Sequence, residues 1–379
     1  MKQTYYIKPA LSACISFFKK ETVLSTAGLL AILSAFFVKP SPEYFIYLDY
    51  RVLSLLFCLM AVVAGLQNIG LFRYLGTSLL SGTKTTRQLV FQLMALCFFS
   101  SMFITNDVSL ITFVPFAIML LSMANETDLL IPVVVLQTIA ANLGSMFTPV
   151  GNPQNLYLYS GFSIPIGKFL IIMLPLTVLS FFLLTLAVFL LPNKPLEIRN
   201  LERIQPPKKR PLFIYLFLFG ICLGCVAHLI PYQVMLAIII LGIWIYDRSL
   251  FRKADYYLLL TFVCFFIFIG NTERIPAISS LLRSLIAGKE LLFGLLLSQV
   301  ISNVPAAILL SGFTDQVIPL LYGVNVGGLG TLIASLASLI SYRCYSNTEG
   351  AEKGHYFKVF TIYNLIFFIA LTIASICLL

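Results

Sequence analysis

The sequence predicts an all-α polytopic membrane protein made of two inverted repeats, each with a re-entrant helical hairpin and a broken transmembrane helix. Three observations predict it. First, 59% of the 379 residues are hydrophobic and 11% are charged, with a mean hydropathy of +0.97. Soluble domains carry about 25% charged residues. Second, two otherwise apolar stretches contain helix-breaking residues: AANLGSMFTPVGNPQN at 140–155 and GVNVGGLGTLIASLAS at 323–338. Third, these stretches match. Asn142 to Thr148 has the spacing of Asn325 to Thr331, and Gly144 pairs with Gly327. Non-helical backbone at membrane depth is tolerated only where protein buries it or it lines a cavity. Interrupted segments at matching places in two halves point to a transporter site.

Met1 to Thr22 is polar and basic, and reads as partly helical along the membrane surface. Spans are expected near 23–38 and 52–72, followed by a basic loop with Arg73, Lys84 and Arg87. The apolar run 88–125 is interrupted at Thr105-Asn106-Asp107. A crossing needs roughly 20 residues, so the run is too long for one span and short for two. It reads as a re-entrant hairpin with Thr105–Asp107 at its tip. The broken span 128–159 and a full span near 168–191 complete the N-terminal repeat, 1–192. A basic linker, 193–211, separates it from the second half, 212–379. Spans are expected near 212–228, 231–246 and 255–270, then a short amphipathic helix at 271–287 outside the core. A second hairpin at 290–313 breaks at Ser302-Asn303-Val304-Pro305. A second broken span, 317–341, and a last span, 356–379, close the chain.

With the N-terminus in the cytoplasm, roughly 19 of the 25 Lys and Arg fall on the cytoplasmic side, as the positive-inside rule requires. The net charge of +10 therefore reflects membrane insertion, not nucleic-acid binding. The eight cysteines are scattered, and Cys222-x-x-Cys225 reads as two small buried residues within a helix. No short apolar run with a cleavage site opens the chain, so the first helix is expected to stay as an anchor.

The repeat extends beyond the broken spans. DYRVLSLLFCLMAVVAG from Asp49 resembles DYYLLLTFVCFFIFIG from Asp255. Each is followed by a hairpin with Asn at its tip, a broken span and one more span. Five crossings separate each element from its copy, so the copies are expected to run in opposite directions.

Hairpin tips and broken spans should meet near the midplane. Helix N-termini there attract anions without a Lys or Arg. Freed carbonyls and side-chain oxygens suit a small hard cation such as Na⁺. The expected substrate contacts are Asn106, Thr148, Asn152, Asn155, Asn303, Thr331, Ser335 and Ser338. The expected cation-coupling set is Thr105, Asn106, Asp107, Gly144, Gly151, Ser302, Asn303 and Gly327. Asp107 is the acid placed deep in the apolar core, a functional candidate by default that could hold Na⁺ or take up a proton. The competing reading is an N-cap of the second hairpin helix. The equivalent position in the second tip is Val304, so the halves are chemically unequal. Interhelical bonding could equally explain Asn106 and Asn303, back-bonding the hydroxyl residues, and the turn at Pro153 one of Asn152 and Asn155. His228 and His355 read as interfacial, and Glu273 beside Arg274 as an exposed pair.

At these motifs the chain resembles the ion transporter superfamily of arsenite permeases, citrate permeases and divalent-anion/sodium symporters. TNDVSLITFVPFAI from Thr105, GSMFTPVGNPQN from Gly144, ISNVP from Ile301 and GVNVGGLGTLIASLAS from Gly323 carry the resemblance. It implies a scaffold part, a moving transport part, Na⁺ or H⁺ coupling and often a homodimer. The symporters carry Ser-Asn-Thr at both tips. Thr105-Asn106-Asp107 and Ser302-Asn303-Val304 keep the small hydroxyl and the Asn but depart at the third position. Thr-Asn-Asp looks like the arsenite-permease branch, and GNPQN resembles the GTPPN-type loop of the anion symporters.

The expected function is secondary active transport of a small inorganic or organic anion, coupled to Na⁺ or H⁺, across the cell membrane. Arsenite or antimonite efflux and Na⁺/H⁺ antiport are the alternatives. No resident cofactor is expected beyond Na⁺ as coupling ion, and no nucleic-acid partner. No Walker-type glycine loop is present. An intramembrane enzyme would need a reactive Ser/Lys, Ser/His or Asp/Asp set at one depth, and none stands out. A receptor would bind ligand without flux.

Overall fold

The computed structural model describes residues 21–80, 83–196 and 205–379. Within them the chain is helical, with one isolated bridge, Thr85 to Pro195, as its strand-type pairing. The expectation for the N-terminal segment falls almost wholly outside the described residues.

The first half contains α1 (Thr22–Phe37), α2 (Tyr50–Asn68), α3 (Leu71–Leu80), α4 (Thr86–Ile104), α5 (Asn106–Met123), α6 (Leu130–Ser145), α7 (Pro153–Gly161) and α8 (Ile166–Phe189). Then come α9 (Lys209–Val226), α10 (Tyr232–Tyr246), α11 (Tyr256–Glu273), α12 (Pro276–Ile286), α13 (Glu290–Ile301), α14 (Asn303–Ser311), α15 (Val317–Val326), α16 (Leu336–Ser346) and α17 (Lys353–Leu378). Among the described residues, eight helices are long and apolar enough to cross a membrane. The count reaches nine if α12 and α13, bent by 106° at their junction, form one span.

The two Asp-Tyr motifs fold alike. Asp49 and Asp255 cap α2 and α11 by accepting the backbone N–H of Val52 and of Leu258, each at 2.9 Å. The following tyrosines reach back: Tyr50 donates to the Phe45 carbonyl at 3.0 Å and Tyr256 to that of Phe251 at 2.6 Å. Such caps satisfy N–H groups that a helix start leaves orphaned. Helix α1 packs on α11, and α9 and α10 pack on α2. Beside this frame, α4 packs on α6 and α13 on α15.

Two expectations change. The basic loop after the second span contains α3, which presents Leu75 and Leu79 outward at 43% and 58% exposure. Its Leu71, Phe72, Leu75 and Leu79 are spaced as one helical face, a signal the loop reading overlooked. The length argument for re-entrance holds at the second hairpin, whose helices have 12 and 9 residues. It does not hold at the first, whose helices have 19 and 18 residues and each reach spanning length. There the turn consumes a single residue, Thr105, so almost none of the run is lost to it.

Candidate functional site

Both hairpins turn on one residue with the same unusual backbone. Thr105 has φ 71° and ψ 151°, and Ser302 has φ 75° and ψ 156°. Residues with a Cβ avoid this region, which costs of order 1–3 kcal/mol and persists only where the surroundings enforce it. Here the broken spans enforce it. The N–H of Asn106 donates to the Gly151 carbonyl at 3.2 Å, and that of Asn303 to the Ala334 carbonyl at 3.0 Å. Gly151 and Ala334 each precede the N-cap of a second half-helix, α7 or α16.

The broken spans exchange partners across the halves. Ser335, the N-cap of α16, donates its hydroxyl to Asn142 Oδ1 near the end of α6, at 3.0 Å. Asn152, the N-cap of α7, donates from Nδ2 to Asn325 Oδ1 near the end of α15, at 3.2 Å. Asn325 Nδ2 then donates to Asn155 Oδ1 at 2.7 Å. The hairpins repeat the exchange, since α5 packs on α16 and α14 packs on α7. Asn106 Nδ2 also donates to Asn142 Oδ1, at 3.1 Å. Asn106 reaches Ser335 through Asn142, while Asn303 binds the neighbouring Ala334. Both tips therefore converge on residues 334–335.

The remaining expected residues divide by what already engages them. Asn155 Nδ2 donates to the Met146 and Thr148 carbonyls at 3.0 and 3.3 Å, which braces the first loop. Thr148 donates to the Met102 carbonyl and accepts from Gly151 N. Thr331 donates to the matching carbonyl of Gln299 at 3.2 Å and is exposed. Ser302 donates weakly to Asn303 Oδ1 and the Ala334 carbonyl, at 3.5 and 3.4 Å. Gly144 and Gly327 permit close approach of helices. A Cβ at Gly144 would meet the Phe98 carbonyl and Ser101 Oγ, and one at Gly327 would lie 2.7 Å from Ser298 Oγ.

Among the described residues, nine buried side-chain polar atoms have no hydrogen-bond partner, Asn142 Nδ2 and Ser338 Oγ among them. Ser338 lies one turn after Ser335 on α16, so both belong to the region where the halves cross. An unpaired buried polar group costs about 1–3 kcal/mol, and native proteins keep few of them.

Asp107 does not cap α5. Thr105 holds the N-cap position, and the N–H of Asp107 donates to Asn106 Oδ1 at 3.0 Å. Its carboxylate makes no hydrogen bond or ion pair with the described residues, and it is half-buried. Arg274 pairs with Glu43 and Tyr47, not with the adjacent Glu273, because the loop before α2 folds onto the end of α11. Among the described residues, no three His, Cys, Asp or Glu gather as metal ligands.

Sequence reasoning left Asn142, Asn325 and Gln299 unassigned. Asn142 and Asn325 had a signal in their matched spacing. Gln299 had none, yet its Nε2 donates to the Gly327 and Leu329 carbonyls at 2.8 and 3.0 Å, and its Oε1 accepts from Thr331 N at 2.9 Å. It braces the second loop as Asn155 braces the first.

A helical membrane fold with two interrupted spans, joined through buried amides, defines a multi-span transporter class. The citrate transporter family model matches residues 13–315, and the chain belongs to that family. It is 34% identical over 307 residues to an uncharacterized transporter of Methanocaldococcus jannaschii, covering 79% of this chain and 82% of the relative. It is 31% identical over 341 residues to the inner membrane protein YbiR of Escherichia coli, covering 87% and 90%. Over 154 residues it is 32% identical to the silicon efflux transporter LSI3 of Oryza sativa, covering 40% of this chain and 31% of that protein.

Proposed function

We propose that the chain is a secondary active transporter of a small oxygen-bearing anion, driven by Na⁺ or H⁺, in the cell membrane with its N-terminus in the cytoplasm. The observation that carries this reading is the reciprocal bonding of the broken spans, beside which Asn142 Nδ2 and Ser338 Oγ are buried without a partner among the described residues. An N–H donor and a hydroxyl beside the N-terminus of α16 suit an oxyanion without requiring a Lys or Arg. Repeats of opposite direction would let the site open to each side in turn as the transport part moves against the frame. Asp107 is the carboxylate at the tips, and its lack of a hydrogen-bond or ion-pair partner among the described residues suits it to a travelling cation or proton.

Efflux of a small oxyacid such as arsenite is the second reading. It is favoured by the neutral amide and hydroxyl donors of the site and by the similarity to the silicon efflux transporter of rice. Purified protein in proteoliposomes distinguishes the readings. Uptake of labelled citrate, other carboxylates, arsenite and silicic acid is measured under imposed Na⁺ or pH gradients. Gradient-driven flux of an anion supports the first reading, and flux of arsenite or silicic acid alone supports the second. No gradient-driven flux of any of them sinks both.

A further inference from the structure

We propose a binding site for the phosphate headgroup of an anionic membrane lipid at the base of the first hairpin, away from the broken spans. A cleft of about 320 Å³ opens there between the start of α4 and the end of α8. Arg87, Gln88 and Asn193 form its polar part, and Phe91, Val188 and Phe189 its apolar wall.

The chain after α8 is tied across this base. Thr86 N donates to the Lys194 carbonyl at 3.0 Å, Leu196 N to the Lys84 carbonyl at 2.8 Å, and Thr86 Oγ1 to the Pro192 carbonyl at 3.0 Å. The strap fixes Arg87 beside the end of α8. Arg87 Nη2 donates to the Leu191 carbonyl at 2.9 Å, and its guanidinium carbon lies 5.6 Å from the centre of the Phe189 ring. These contacts leave Arg87 Nε, a buried donor, without a partner among the described residues. Lys84 is exposed nearby, and Lys194 has a 58% exposed side chain. Among the described residues, the acid paired with this group is Glu126, 3.9 Å from Lys194. Among the residues that line the cleft, Arg87 is the charged side chain, so this lining is net positive.

The apolar side identifies the source of the phosphate. An aromatic column continues from the cleft along α4 and α8: Phe91 to Phe181 at 6.2 Å, then Phe181 to Phe99 at 5.3 Å between ring centres. Phe99, at the end of this column, is 50% exposed. A free phosphate gains nothing from such a column, whereas an acyl chain covers it. Arg is suited to phosphate by its planar fork of donors. Basic pockets between membrane helices bind anionic headgroups for these reasons.

The test is thermal unfolding of the full chain in a neutral detergent with added phosphatidylglycerol, phosphatidylcholine or inorganic phosphate. Phosphatidylglycerol should raise the melting temperature, because a ligand that binds only the folded state stabilises it. Phosphatidylcholine and inorganic phosphate at the same concentration should not. Arg87→Gln should reduce the phosphatidylglycerol shift to the phosphatidylcholine level. Asn193→Trp, which fills the cleft but keeps the Arg87 contact to Leu191, should do the same and decides the matter if Arg87→Gln fails to fold. An unchanged shift in Asn193→Trp, an equal shift from phosphatidylcholine, or full reproduction by inorganic phosphate overturns the proposal.

Discussion

Asn142→Ala tests the crossing of the halves quantitatively. The substitution removes the acceptor of two buried donors, Asn106 Nδ2 and Ser335 Oγ. Each orphaned donor costs about 1–3 kcal/mol. The same substitution deletes Nδ2, which already lacks a partner, and recovers a cost of similar size. The net loss is about 1–3 kcal/mol. Ser335→Ala loses the same bond and an N-cap, together about 2 kcal/mol. Because the Asn142–Ser335 bond can be lost only once, the double variant should be about 1 kcal/mol more stable than the sum of the single losses implies. Unfolding free energies of the four proteins in one detergent give this coupling. Additivity within about 0.3 kcal/mol would refute the contact between the halves.

Other expectations follow from individual contacts. Asp107→Asn should preserve folding but abolish the dependence of flux on the driving gradient; retained dependence, measured in proteoliposomes, removes Asp107 from coupling. Gly144→Ala and Gly327→Ala should each destabilise by about 1–3 kcal/mol through overpacking against the first hairpin helices. Gly220→Ala, in open space on α9, should instead be neutral or stabilising by up to about 1 kcal/mol, and thermal unfolding separates the cases. His228, in the turn between α9 and α10, accepts a hydrogen bond at Nδ1 from Arg51 Nη2 at 2.8 Å. Burial, then the Arg51 charge, lowers its pKa below the usual 6.5. A lowered folded pKa gives a contribution present above about 6.5 and lost as pH falls through the folded value. Melting temperature should therefore decline slightly below that pH, and His228→Gln should remove that part of the decline.

The breaks were legible in sequence because Pro149, Gly151 and Pro153 in the first stretch, and Gly327, Gly328 and Gly330 in the second, interrupt a helix inside an apolar run. The Asp-Tyr caps were legible as a repeated motif. The partner exchange was not. Asn152 and Asn325 are 173 residues apart, and no local pattern states that one bonds the other. For the same reason the bracing by Gln299 and the pairing of Arg274 with Glu43 escaped detection. Thr148 illustrates the converse limit. Its residue type suits an oxyanion, but packing commits its hydroxyl to the Met102 carbonyl. Ser338 was named among many hydroxyls, and the fold singles it out by leaving it without a partner.

Substrate protection of Ser338 is the most direct test of the claim that solute passes through the crossing of the broken spans. Ser338→Cys in a cysteine-free background is labelled with a membrane-impermeant maleimide from either face of sealed vesicles. A solute that the protein carries should slow labelling from both faces at concentrations that saturate its flux. Labelling that a saturating, transported solute leaves unchanged would contradict the account.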